Sequence, residues 1–136
     1  MILLDTNVVV DLVRIDSSPV SVWSRATYRT MAATDQFCCN LIVLAEFAAQ
    51  GETYDAISAA FDRLRIDVVD LSLDGALAAG RAHALYRQRG GSRAAILADF
   101  LIAGHAEALG ASLMTRDRRL ASYFPDLTLI TPETHP

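Results

Sequence analysis

The sequence has 136 residues, of which 52 % are hydrophobic and 21 % charged, a balance that suits one folded domain with its own core over residues 1–136. No apolar run nears the roughly 20 residues of a membrane helix, and the start, Met1-Ile2-Leu3-Leu4-Asp5, lacks the basic stretch of a secretion signal, so a cytoplasmic location without membrane attachment is expected. Sixteen acids against twelve bases give a net charge of −4 and a pI near 5.2, which argues against a protein that binds nucleic acid through bulk basic charge.

Short apolar runs at residues 1–4, 37–39, 66–69, 112–115 and 127–131 are each strand-length. Several are continuous rather than alternating, the pattern of strands covered on both faces. Helical patterns fill the gaps. Ser18-Pro19 offers an N-cap followed by Pro at N1, opening a helix to about residue 33. Asn40 is placed to cap 41–50, which Gly51 stops. Residues 53–63 form another helical stretch. Ser72 caps a long one, with Asp74 in its first turn and Gly90-Gly91 at its end. Residues 94–109 read as helix up to Gly110, and Asp117 is placed to cap a last short helix before Pro125. Strands alternating with helices predict an α/β domain, with a mainly parallel sheet and helices on both faces. In such sheets sites lie beyond the carboxyl ends of the strands.

Four acids stand out against that plan. Asp5 and Asp117 each sit just past a predicted strand, where either a helix cap or a site is an equally natural role. Glu46 is the one charge in an apolar helical run, with Ile42, Val43 and Ala49 on its own face. A lone carboxylate there needs a partner, water or a cation. Asp99 lies in the run 94–104, which is apolar around its circumference and therefore reads as buried. Asp is also a poor helix former away from a first turn. A parallel sheet brings such positions to one edge. At about 4 Å each carboxylate pair repels by roughly 4 kcal/mol at an effective dielectric of about 20. Hard divalent cations with oxygen ligands answer that repulsion, and no Cys or His cluster offers a softer site. Magnesium or manganese held by carboxylates suits phosphoryl chemistry.

The pieces Leu4-Asp5-Thr6-Asn7, Leu44-Ala45-Glu46, Ala98-Asp99-Phe100-Leu101-Ile102-Ala103 and Thr115-Arg116-Asp117, in that order over nearly the whole chain, resemble the PIN-domain family, in particular its VapC-type toxins. The closing Leu127-Thr128-Leu129-Ile130-Thr131-Pro132 is similar to the family's last strand. The resemblance implies a three-layer α/β/α sandwich around about five strands. It also implies Mg2+- or Mn2+-dependent endoribonuclease activity, a homodimer, and a cognate antitoxin of the VapB kind. It assigns metal binding and catalysis to Asp5, Glu46, Asp99 and Asp117, with Asn7 and Thr115 as polar support. The expected reaction is in-line attack of metal-activated water on an RNA phosphodiester, leaving a 5′-phosphate and a 3′-hydroxyl.

With four acids committed to metal, the remaining charges balance at twelve against twelve, and every base is Arg, the better phosphate fork. Arg87, Arg89 and Arg93 around Gly90-Gly91-Ser92, and Arg116, Arg118 and Arg119 flanking Asp117, are candidates to contact the RNA backbone; solvated surface charge is the simpler role for any one of them. The adjacent Cys38 and Cys39 read as buried thiols. His83, His105 and His135 read as packing or surface residues. Trp23 and Tyr28 read as core, or as lining for an antitoxin helix. Two other readings remain open: a different phosphotransfer enzyme, or a module that binds without catalysis. A phosphatase of the haloacid dehalogenase kind normally has a second Asp where this chain has Asn7.

Overall fold

Each of the five apolar runs forms a strand in the computed structural model, which describes residues 1–92 and 95–136. They are β1 (Ile2–Leu4), β2 (Phe37–Asn40), β3 (Ile66–Val69), β4 (Ser112–Met114) and β5 (Leu129–Ile130). All pairings are parallel, in the order β3-β2-β1-β4-β5. β1 and β2 are buried along their whole length, which is why their sequences do not alternate. The edge strand β3 is exposed at Asp67 and Val68.

The helices are α1 (Thr6–Val13), α2 (Pro19–Met31), α3 (Leu41–Ala48), α4 (Tyr54–Leu64), α5 (Leu73–Gln88) and α6 (Leu97–Leu109). Their starts follow the capping residues in the sequence. Ser18 Oγ accepts from Ser21 N at 3.3 Å, Asn40 Oδ1 from Ile42 N at 3.1 Å and Val43 N at 3.0 Å, and Ser72 Oγ from Gly75 N at 3.0 Å. With this strand order, the right-handed rule for parallel crossovers puts α1–α4 over one face and α5–α6 over the other, the expected three layers. No helix among the described residues is long and apolar enough to cross a membrane.

Two expected helices differ. In the stretch expected as helix over 94–109, residue 94 lies outside the described residues, and α6 starts at Leu97 with Ile96 as N-cap. Asp99 is therefore not in the middle of a buried apolar helix but at its third position, half-buried, where its carboxylate accepts the Ile96 N–H at 3.1 Å. An acid in a first turn is favourable, so the objection to Asp within a helix disappears. Asp117 caps no helix. The last helical piece is one 3₁₀ turn, Ala121–Tyr123, preceded by Leu120.

The strand order reverses at β1. The chain moves outward from β1 through β2 to β3, then returns across the sheet to β4 on the other side of β1. Leu4 pairs with Met114, so the residues that follow, Asp5 and Thr115, emerge side by side at the carboxyl edge. This is the topological switch point where parallel sheets open a crevice.

Both cysteines are free and buried, and burial pushes their thiols up to about 11 for Cys38 and about 12 for Cys39, as expected of inert core groups. His105 is also core: its Nδ1 lies 3.2 Å from Asn40 Nδ2. Since Asn40 Oδ1 already accepts the two helix-capping N–H groups, its amide presents N–H to the ring. Nδ1 is then the acceptor and Nε2 carries the proton, with no hydrogen-bond partner. Burial lowers the His105 pKa from its ordinary value of 6.5. The unfolded chain then takes up a proton that the folded one refuses, so stability is fully present above about pH 6.5 and falls as pH drops below it. Urea melts between pH 7.5 and 5.5 are expected to show this loss, and His105→Leu to flatten it. Equal slopes for the two proteins would reject the assignment.

Candidate active site

The crevice at the switch point is lined on its polar side by Asp5, Asp99, Thr115 and Asp117, with Ile102 and Phe124 on its apolar side. Its volume is ≈ 30 Å³. That is far below the roughly 300 Å³ at which drug-sized ligand pockets begin. It accommodates ions and waters, and a larger substrate meets it from the mouth.

Asp5 is fixed from several sides. Its Oδ1 accepts Thr6 N at 2.7 Å, and its Oδ2 accepts the Thr115 hydroxyl at 2.6 Å and Asn7 Nδ2 at 3.1 Å. The expected support from Asn7 and Thr115 is thus present as hydrogen bonds. Asn7 Nδ2 also lies 3.4 Å from Thr115 Oγ1. Despite these donors the Asp5 carboxyl is held above its ordinary pKa. Burial contributes most, the Thr115 and Thr6 bonds oppose it, and the nearby charges of Asp99 and Glu46 raise it further. Asp5 sits where a carboxylate lacks a counter-charge.

Glu46 reaches the cluster from α3. Its Oε1 accepts the Thr6 hydroxyl at 2.6 Å. Thr6 thereby bridges Asp5 and Glu46, a role that the sequence reading did not assign. Its position directly after Asp5 was the one available signal.

Asp117 is different. Arg119 Nε donates to its Oδ2 at 2.7 Å, and Arg119 N donates to its Oδ1 at 2.9 Å. Burial works to raise the Asp117 carboxyl, but these donors and the Arg119 charge outweigh it and hold the pKa low. Asp117 N also donates to Thr115 Oγ1 at 3.0 Å. Arg119, expected with its neighbours to contact the RNA backbone, is instead paired with Asp117, a role its place two residues further on could have suggested.

Among the described residues, the arginines expected to contact RNA are spread over several places. The Arg89 guanidinium lies over the Tyr123 ring, 5.5 Å from its centroid. Arg87, at the end of α5, faces a separate hollow with Tyr86 and Leu97. Arg93 lies outside the described residues. Arg116 turns away from the crevice onto Asp11. Trp23 Nε1 donates to His135 O at 2.6 Å, and the Tyr28 hydroxyl donates to Leu64 O at 2.6 Å.

The donor set tests the fit to a metal. Every side-chain oxygen facing the crevice is a carboxylate or hydroxyl, the hard donors that magnesium and manganese prefer. As they stand, no three acids among the described residues are close enough to clasp one ion. The acids surround the crevice, and the Arg119 guanidinium occupies Asp117. The chemistry fits a hard cation, and Arg119 is the group that competes with it. Arg119→Ala is therefore expected to tighten Mn2+ binding about 3-fold, a shift of the size that a partly exposed ion pair supports. Calorimetric titration checks this; weaker binding in the variant would show that Arg119 assists the metal instead.

The fold is a parallel α/β sandwich with an acid-lined crevice at its switch point. The chain belongs to the PIN domain family, whose model matches residues 2–123. A search of curated proteins found no match by sequence. The fold is similar to that in VapBC2 from Rickettsia felis bound to a promoter DNA fragment, at 23 % identity over 96 % of this chain and 98 % of that one, with TM-score 0.74. It is similar to VapBC-1 from nontypeable Haemophilus influenzae, at 22 % identity over 96 % and 98 %, TM-score 0.70. It is also similar to VapC20 from Mycobacterium tuberculosis, a toxin that cleaves the sarcin-ricin loop, at 15 % identity over 90 % and 94 %, TM-score 0.60.

Proposed function

We propose that this PIN domain is a metal-dependent endoribonuclease, the toxin of a bacterial toxin–antitoxin pair. The observation that carries the reading is the crevice lined by Asp5, Asp99 and Asp117, with Glu46 tied to it through Thr6 and the Asp5 carboxyl raised in pKa by burial and by the charges of Asp99 and Glu46. The toxin assignment draws support from the folds it resembles, several of which are toxin–antitoxin complexes.

In this reading Asp5, Glu46, Asp99 and Asp117 hold Mg2+ or Mn2+. When bound, the ion supplies Lewis acidity toward phosphate and makes water a better nucleophile near neutral pH. Asp5 and Asp99 are the central ligands. Thr6, Asn7 and Thr115 orient the carboxylates through the bonds described above, which reduces the reorganisation needed on loading. Arg119 balances the charge of Asp117 until a cation takes that place. The partners are RNA, a VapB-like antitoxin and a second copy of the chain, and the setting is cytoplasmic.

Purified protein incubated with total RNA and Mg2+ is expected to release fragments with 5′-phosphate ends, and excess EDTA to stop the release. Cleavage that persists in EDTA, or no metal-induced rise in Tm, would reject the reading. The second result is what a binding module without catalysis would give.

A further inference from the structure

Asp11 is an acid that the proposed chemistry does not use. It lies on α1, six residues after the Asp5 cap, and is 4 % exposed. Both of its oxygens are engaged. Oδ1 accepts the Ser21 hydroxyl at 3.0 Å, and Oδ2 accepts the Ser24 hydroxyl at 2.6 Å. The Arg116 Nε lies 3.1 Å from the same Oδ2. Its N–H is not aligned for a directed hydrogen bond, so the contact is ionic. A buried carboxylate held by two hydroxyls and a guanidinium has a strongly preferred geometry, because releasing the Arg leaves a charge unpaired away from water.

Arg116 stands between Thr115 and Asp117, both on the crevice wall. The last sheet bond of this segment is Thr115 N to Ile130 O at 3.0 Å. Beyond it the chain leaves the ladder, and residues 115–120 form neither helix nor strand. Two ties to α1 hold it. Arg116 N donates to Asn7 Oδ1 at 3.2 Å, and the Arg116 side chain reaches Asp11. Asn7 and Asp11 are four residues apart, one above the other on a helix face. The helix capped by Asp5 thus grips the neighbour of Asp117 by both backbone and side chain.

We infer that Asp11 and Arg116 are positioning residues, whose half-buried ion pair holds the chain so that Thr115 stays beside Asp5 and Asp117 stays on the crevice wall. Arg116 then acts through the metal ligands and does not grip RNA. This rests on the proposed nuclease reading. The pair behaves as an outer-shell partner, so its loss weakens metal binding and turnover about 10-fold or more and leaves RNA affinity intact.

The test compares the full chain with Arg116→Met, Arg116→Lys and Ser24→Ala, measuring Mn2+ affinity by calorimetry, Tm, and kcat and KM on RNA. Arg116→Met is expected to weaken Mn2+ binding and lower kcat with KM unchanged, and Arg116→Lys to recover part of both. Ser24→Ala leaves the 115–117 segment untouched and is expected to weaken Mn2+ binding by about 3-fold, within the loss of one hydrogen bond to a charged group. This variant keeps the test open if the Met variant fails to fold. A rise in KM alone would show that Arg116 contacts RNA, and a fall in Tm with unchanged Mn2+ affinity would leave the pair a structural one; either overturns the inference. If the unaltered chain binds no Mn2+, the nuclease reading fails and the inference falls with it. If it binds and the variants bind equally well, only the inference fails.

Discussion

Asp5→Asn is expected to abolish RNA cleavage and, in metal-free buffer, to raise the melting temperature. The activity loss follows from removing the carboxylate that Thr6, Asn7 and Thr115 hold at the switch point. A charged metal contact supports several kcal/mol of transition-state stabilisation, so kcat is expected to fall about 10³-fold or more. The gain in stability has a separate cause. Burial, with repulsion from Asp99 and Glu46, holds the folded pKa of Asp5 above its ordinary value of 3.8. A carboxyl raised on folding binds protons more readily in the folded state. Its ionisation therefore weakens the fold as pH rises through the folded pKa, and acidification through that pKa restores the loss. Asn has no charge to desolvate, and its amide retains partners in Thr6 N and the Thr115 hydroxyl. A rise of about 3 °C is expected, the shift that roughly 1 kcal/mol produces in a domain of this size.

Calorimetric melts with and without Mg2+ separate the two effects. The unaltered protein is expected to gain Tm on adding Mg2+ and the variant to gain little. A variant that melts lower in metal-free buffer would mean that the three hydrogen bonds to Asp5 outweigh its burial. The pH response of Asp5 is opposite in sign to that of His105, so Asp5→Asn and His105→Leu should change the pH profile of stability in opposite directions.

Gly104→Val is expected to cost about 3 kcal/mol or more, lowering Tm by about 10 °C. α5 and α6 pack closely where Gly104 meets Ala79. A Cβ on Gly104 would lie 2.6 Å from Ala79 N and 2.9 Å from Ala79 Cα. These are backbone atoms, so a helix must shift. Gly104→Ala should be milder, because the clash is offset by the roughly 1 kcal/mol that replacing a mid-helix Gly returns. Since α6 carries Asp99 at its first turn, its displacement should also weaken Mn2+ binding in variants that remain folded. Thermal melts and metal titration check both. A Val variant with unaltered Tm would show that the two helices have slack at this crossing.

The candidate site and the scaffold beneath it were unequally visible in the residues. Asp5 and Asp117 stood at strand ends because short apolar runs precede them, and the crevice formed where the parallel-sheet rule placed it. Asp99 stood out in the sequence for a partly wrong reason. The apolar run around it was read as one long helix, whereas helix begins at Leu97 and leaves Asp99 in a first turn. Composition alone does not distinguish a buried mid-helix acid from one near a helix start when no Ser, Thr, Asp or Asn marks the cap, and here the N-cap is Ile96.

Strand runs, Ser18, Asn40 and Ser72 as caps, and Gly110 closing α6 were legible because each depends on residues within a few positions of one another. The partners of the site residues were not. Thr6 meets Glu46 across 40 positions, Thr115 meets Asp5 across 110, and Arg116 meets Asp11 across 105 (116 − 11). Periodicity reports which face of an element is apolar, but it does not say which distant polar groups will face each other once β4 is laid beside β1. That pairing turned Arg116 inward onto α1 and left Asp5 without a counter-charge, because hydrogen bonds and ion pairs act over a few ångströms, and only folding brings these groups that close.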